Sequence, residues 1–339
     1  MAGTLDGKER LYGIDLAKGC LIILVFVGHM IPGAIGDVFP RYAIYSFHMP
    51  LFIGISGFLL KIEKLDISFS HLLPKYWNRL ILPWSIAVLF FLLDHNIYNG
   101  IGINVKNVVY AFVHPWYHLW YILGFVSYLV ISCVLWTLFN KLKHRWLLML
   151  LVAFIISIIS KWSIFGIVFT DGYSKTLHDL IQFDFRLYNY VFFAIGLFFR
   201  YCYEHGKMLS AKAADIFRSI LIVSMMMVCF EFFKQNSNVG RILFFVMCIP
   251  FLIVVLYDCV NKCLPRSKTL EFLGKYSLPI YLYHILCIQI AHVFFEEGST
   301  GYYVVSLAGF IMMCVLFFIF RNNKMFGRLL FGTMRRGHN

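Results

Sequence analysis

Two ionisable side chains interrupt the apolar run "LAKGCLIILVFVGHM" at residues 16–30: Lys18 near its start and His29 near its end. Such groups are costly inside a hydrocarbon span and usually have a task there. The two are eleven positions apart. At about 100° per residue they fall within roughly 20° of one helix face, about 16 Å apart along the axis. Asp15, one turn before Lys18, lies near the same face. Such a helix offers a cation at one mouth and an imidazole deep in the bundle, on one line. The plainer reading pairs Lys18 with Asp15, lets the lysine snorkel and bonds His29 to a neighbouring carbonyl. On these residues alone the two readings stand level.

Four further stretches carry polar groups in apolar surroundings. "SFHMPLFIGISGFLL" (46–60) places His48 near the outer end of a second helix, either as an interfacial side chain or across a cavity from His29. Pro50 removes one backbone donor there, and Gly54, Ser56 and Gly57 allow a close helix approach. "KYWNRLILPW" (75–84) sets Lys75 and Arg79 at the start of a third helix. "HPWYHLWYI" (114–122) sets His114, His118 and Trp120 at the start of a fourth. The two histidines are four apart, as zinc ligands can be, but no third ligand is evident, and interfacial aromatics explain most of the stretch. "LGKYSLPIYLYH" (273–284) places Ser277, Tyr281 and His284 on a ninth helix, with Pro279 in its first turn. Tyr281 and His284 share a face, and a helix-packing hydrogen bond is the plainer account of that pair.

The elements that must position these groups follow from composition. The chain has 339 residues, 60% hydrophobic and 19% aromatic, with a mean hydropathy of +0.76. No soluble fold hides that much apolar surface, so an all-α integral membrane protein is expected. Ten stretches reach span length: 13–33, 42–60, 79–98, 117–139, 146–164, 181–201, 214–233, 240–260, 277–295 and 302–320. The short alternating segments of a barrel are not seen. The first apolar run is too long for the core of a signal peptide, so it counts as helix one. Of the 30 lysines and arginines, 22 then fall on the side that holds both termini. The other side and its helix ends carry Arg41, Lys106, Lys161, Lys175, Arg186, Lys234 and Arg241. The positive-inside rule therefore places both termini in the cytoplasm. The net charge of +13 is mostly this bias. The basic residues are dispersed among loops, which argues against nucleic-acid binding. The nine cysteines show no metal or disulfide spacing and read as small packing residues. The expected organisation is a cytoplasmic segment 1–12, a ten-helix domain 13–321 and a basic cytoplasmic tail 322–339. Loops are short, and no phosphate-binding, zinc or nucleophile-elbow motif appears. Any chemistry must therefore use side chains in the bundle or on these loops.

Taken together, the stretches resemble the membrane-bound acyltransferase 3 family, within it the branch similar to fucose 4-O-acetylases, over roughly residues 10 to 325. The resemblance rests on a basic residue, ten residues, then histidine in helix one (Lys18 to His29, after "YGIDLAKG"), on "FHMPLFIGISGF", on "HLWYI" and on "LGKYSLPIYLYH", in that order. Where many members have three arginines entering helix three, this sequence has Arg79, with Lys75 one turn earlier. The resemblance implies acyl transfer, usually of acetyl from acetyl-CoA as co-substrate, to a sugar hydroxyl of a surface polysaccharide or its lipid-linked precursor. It implies a protein of the bacterial cytoplasmic membrane, in contact with membrane lipids and with no bound metal or nucleic acid. The family's essential histidine maps to His29 and its basic partner to Lys18, with Asp15 placed to orient Lys18. Lys18, Lys75 and Arg79 would hold the donor's phosphates. His29 would act as general base, a covalent acetyl-histidine being a second route. His48, His118, Trp120, Ser277, Tyr281 and His284 would support the acceptor or the developing oxyanion. Some members carry an outer hydrolase-like domain. Without one, this chain is expected to acylate the acceptor itself. The competing class is a multi-pass transporter or flippase, which also uses intramembrane ionisable residues, but no repeat symmetry or pair of broken helices is seen.

Overall fold

The computed structural model describes residues 11–61, 65, 76–100, 102–115, 118–162, 185–234 and 237–330. Among these every regular element is helical. In chain order they are α1 (Tyr12–Met30), α2 (Phe39–Leu59), a π-helical turn (Trp77–Ile81) leading into α3 (Leu82–Tyr98), α4 (Val105–Val113), α5 (Trp120–Phe139), α6 (Arg145–Lys161), a 3-10 turn (Leu187–Asn189), α7 (Tyr190–Glu204), α8 (Ala211–Lys234), α9 (Ser237–Val260), α10 (Lys268–Lys275), α11 (Ser277–Phe294), α12 (Thr300–Phe320) and α13 (Lys324–Leu329).

The described part of each of the ten expected stretches overlaps a helix. Seven of the described helices are long and apolar enough to cross a membrane: α1, the π turn with α3, α5, α8, α9, α11 and α12. Helix α2 has the length, 21 residues, but carries Arg41, Ser46, His48 and Ser56. Helices α6 and α7 are shorter, at 17 and 15 residues, and residues 163–184 between them lie outside the described part. Helices α4 and α10 occupy connections that no span-length pattern marks, because an eight- or nine-residue helix is too short to register as a span. Both start on a side-chain cap, Asn104 accepting from the Asn107 N–H and Ser267 from the Leu270 N–H.

The chain forms two compact units. The first comprises the described residues of Met1–Ile62, Phe192–Ser277 and His284–Ile311. Its core holds Ile22, Phe26, Ile53, Ile55, Phe58 and Leu252, all buried, with Phe26 stacked on Phe310 at 4.2 Å between ring centroids. Backbone meets backbone where helices cross. A Cβ at Gly57 would collide with the Phe193 carbonyl, one at Gly196 with that of Gly54, one at Gly19 with that of Leu270, and one at Gly274 with that of Asp15. Small residues at such crossings are how helices associate in lipid, which gives no hydrophobic drive between apolar surfaces. Pro50 lies inside α2 and cannot donate to the carbonyl of Ser46, four residues back. The Cys248 thiol of α9 donates to that carbonyl instead, at 3.0 Å. The Cys259 thiol likewise donates to the Gly13 carbonyl at 3.2 Å.

The second unit comprises the described residues of Glu63–Val191, Leu278–Tyr283 and Met312–Asn339. Helix α3 packs on the π turn and on α4, and α5 packs on α6. The buried Tyr128 of α5 holds the chain ahead of α7, its hydroxyl lying 2.9 Å from the carbonyls of both Phe185 and Arg186. Arg186 there has a left-handed backbone (φ 47). The buried Ser157 of α6 accepts from the Val191 N–H at 2.9 Å, satisfying a donor at the start of α7.

The α1–α10 contact carries a direct expectation. Gly274→Ala pushes a methyl group into the Asp15 carbonyl, which has no flexible end to yield, and should destabilise by about 1–3 kcal/mol. Gly36→Ala, with open space around it, should leave stability unchanged. Thermal unfolding of the detergent-purified variants decides, and equal midpoints would refute the packing.

Candidate active site

Helix α1 is fixed at both ends. Near its start Asp15 is buried and pairs with Lys18, Nζ to Oδ1 3.5 Å, one turn apart as their spacing requires. The carbonyl of the same Asp15 is where α10 comes closest, at Gly274. The aspartate thus marks both the ion pair and the helix crossing. Near the other end the Tyr302 hydroxyl of α12 donates to the Met30 carbonyl at 3.2 Å.

Around His29 the first unit gathers two further imidazoles and a phenol. The Tyr45 hydroxyl stands 3.1 Å from His29 Nδ1, and the two rings meet edge to face with centroids 5.7 Å apart. On another side the His29 ring lies 5.1 Å from that of His284, which is fully buried on α11. His48 continues the cluster, its ring 5.0 Å from that of Tyr45. The His48 Nδ1–H donates to the Ile44 carbonyl at 2.7 Å, so in the neutral ring Nε2 is the acceptor. Gly28 permits the arrangement, since a Cβ there would stand 2.9 Å from the Tyr45 ring. The structure thus gathers His29, His48 and His284 from three helices of one unit.

Sequence patterns single out neither Tyr45 nor Arg41 as a site residue. Tyr45 lies three residues before His48, and that helical offset, with Gly28 beside His29, is the signal that would have found it. The Arg41 guanidinium lies 5.6 Å from the centre of the Tyr45 ring and donates to the carbonyls of Ile31 (2.8 Å) and Gly33. It thereby ties the α1–α2 connection, where Gly33 takes a left-handed backbone (φ 91), to the mouth of the cluster. The cation sits on the aromatic face, an arrangement that strengthens as water is excluded.

The remaining predicted residues are placed elsewhere. Ser277 is buried in the first unit, seven residues before His284 and so about 10 Å from it along α11. Tyr281 belongs to the second unit, where its hydroxyl donates to the His118 carbonyl and accepts from the Tyr121 N–H at 3.2 Å. It works there on the backbone at the start of α5. The His118 ring is buried edge-on against Phe91, centroids 4.7 Å apart, and the Arg186 guanidinium lies 4.2 Å over the buried Trp120. The His114 ring packs on Tyr110 at 4.8 Å. Arg79 is exposed on the π turn, and Lys75 lies outside the described residues. Among the described residues no group of His, Cys, Asp and Glu could hold a metal ion.

Chemically, the cluster can hold and move a proton. The Tyr45 hydroxyl, 3.1 Å from Nδ1 and 3.5 Å from Nε2, orients the His29 ring, and an oriented imidazole can serve as a base. The neighbouring imidazoles and the Arg41 charge offer polar partners to a developing negative oxygen.

Among known proteins, the profile of a family described as Acyltransferase domain matches residues 11–321. Two curated proteins, each named Nodulation protein NolL, are similar to part of the chain. That of Mesorhizobium japonicum is 40% identical over 106 residues, covering 26% of this chain and 28% of that protein. That of Sinorhizobium fredii is 38% identical over 87 residues, covering 24% of each. The chain therefore spans about a quarter of the length of the curated relatives it matches. No solved structure matches it.

The Tyr281 contacts can be tested without an activity assay. Tyr281→Phe leaves the Tyr121 N–H and the His118 carbonyl without their partner and should cost about 1–3 kcal/mol in thermal unfolding. A variant as stable as the parent would show that these contacts carry no weight.

Proposed function

Because this chain belongs to the acyltransferase domain family, we propose that it is a membrane-embedded O-acyltransferase. It moves an acetyl group from acetyl-CoA to a sugar hydroxyl of a surface polysaccharide or its lipid-linked precursor. The observation that carries this reading is the placement of His29 between Tyr45 and His284, on the helix whose Lys18 is paired with Asp15. In this reading ten helices cross the bacterial cytoplasmic membrane with both termini in the cytoplasm. The side on which 22 of the 30 lysines and arginines lie supports that orientation.

The steps follow from the side chains. Coenzyme A is made in the cytoplasm and carries phosphates, so the donor enters at the Lys18 end of α1. Lys18 supplies a charge-assisted contact there, and Lys75 and Arg79 are the further basic residues that the motif resemblance assigns to the donor's phosphates. The thin pantetheine arm extends along α1 and brings the thioester towards His29. His29 takes the proton of the acceptor hydroxyl as its oxygen attacks the thioester carbonyl. The tetrahedral oxyanion, held by a neighbouring donor such as His284 or Tyr45, collapses and expels the thiolate. The thiolate then takes the proton back from the imidazolium, so atoms and charge balance. Asp15 positions Lys18. Tyr281, through its bonds to the backbone at His118 and Tyr121, positions the segment that carries Trp120.

Deleting the protein from its host should remove O-acetyl groups from the surface glycan, read by NMR. In purified protein His29→Ala should lower transfer by about 10²–10⁴-fold, the usual contribution of a general base. Tyr45→Phe, which loses one hydrogen bond of about 0.5–1.5 kcal/mol, should lower it by only about 2- to 10-fold. Lys18→Ala should raise the KM for acetyl-CoA more than it lowers kcat. Undiminished transfer by His29→Ala at normal abundance would sink the base assignment.

A further inference from the structure

Away from the His29 cluster, the first unit holds an acid that the proposed reaction does not use. Glu231 lies in the last turn of α8, only 5% exposed, and its Oε1 is enclosed without a hydrogen-bond partner. No ion pair to Glu231 is made among the described residues. Its position does not favour the helix either, because a negative charge near a helix C-terminus opposes the macrodipole. A buried carboxyl oxygen without a hydrogen-bond partner is costly, and a positive donor brought to Glu231 would relieve that cost.

Glu231 lines a groove of about 740 Å³ between α8 and α9, whose other walls include Val223, Met226, Phe230, Val239 and Leu243. Met226 and Phe230 are largely exposed, so the groove opens on the surface that faces hydrocarbon. Methionine and phenylalanine there suit an acyl chain, the thioether adapting its shape to the chain it meets. Glu231 lies in the last turn of α8, a helix long and apolar enough to cross a membrane, so the groove runs along a span near one of its ends. Helix α9 approaches at Gly240, where a Cβ would stand 3.5 Å from Glu231 Oε1.

We propose that this groove binds a membrane lipid with a primary ammonium headgroup, the ammonium on Glu231 and an acyl chain along Met226 and Phe230. Charge complementarity selects this occupant. An anionic lipid would be repelled, and a quaternary ammonium has no N–H to give to Oε1.

The test reads retained lipid, so its outcome is separate from any acyl transfer. The delipidated full-length protein is offered phosphatidylethanolamine, phosphatidylcholine or phosphatidylglycerol in mixed micelles and analysed by native mass spectrometry. The expected result is one phosphatidylethanolamine retained per protein. Retention should fall at least tenfold in Glu231→Gln, and the other two lipids should stay at background. Met226→Trp, which fills the lipid-facing side of the groove, should lose the lipid with an unchanged melting temperature, and it decides the matter if Glu231→Gln fails to fold. Equal retention of the three lipids overturns the proposal. So does retention by Glu231→Gln, or by Met226→Trp, at the level of the parent.

Discussion

The position of α1 is the constraint on which the rest of the site depends. This helix carries Asp15, Lys18 and His29, and it is located by contacts of backbone on backbone at Gly19 and Gly274 and by the Tyr302 hydroxyl on Met30. In hydrocarbon, apolar surface alone gives no reason for two helices to meet, because lipid tails serve as well as leucines. What holds α1 is close packing through missing Cβ atoms and a few hydrogen bonds. Contacts of that kind have little give, since an added methyl group meets a carbonyl rather than a movable side chain. They also explain why Asp15 is buried beside a lysine: the same turn serves the crossing and the ion pair.

A second regularity follows from the same solvent. Polar backbone groups that ordinary helix geometry leaves open are met by side chains from distant parts of the chain. The carbonyl freed by Pro50 is met by Cys248, and those ahead of α7 by Tyr128. Water is not there to do this work, so each irregularity in a span brings its own partner. The His29 cluster obeys the rule and adds to it. Its members contact one another, and all of them are groups that can exchange a proton. Among the described side chains with a buried polar atom lacking a hydrogen-bond partner, Glu231 is the acid.

The parts of the site differ in how far the sequence reveals them. The Lys18–His29 line is legible because helical geometry converts a spacing of eleven into a shared face. The Asp15–Lys18 pair is legible for the same reason, and the structure forms it. Tyr45 is not legible, because it contacts His29 across a helix–helix interface and periodicity within one helix says nothing about the next. Tyr281 and His284 look alike in sequence, a polar pair on one face. In the structure one bonds the backbone near α5 and the other packs on His29. Helix α10 is too short to be recognised from a hydrophobic run, although its Gly274 sets the closest approach to α1.

By itself the sequence determined that the chain is a set of apolar helices, which stretches carry polar groups, and a resemblance of motifs that the family match bears out. Those properties reside in composition, in helical period and in local order along the chain. The tertiary structure alone decided which polar groups meet: His29 with Tyr45 and His284, Ser46 with Cys248, Tyr281 with His118. Such pairings join residues up to some 250 positions apart. They are set by where backbones can approach within contact distance, a property of the packed helices together that no single helix contains.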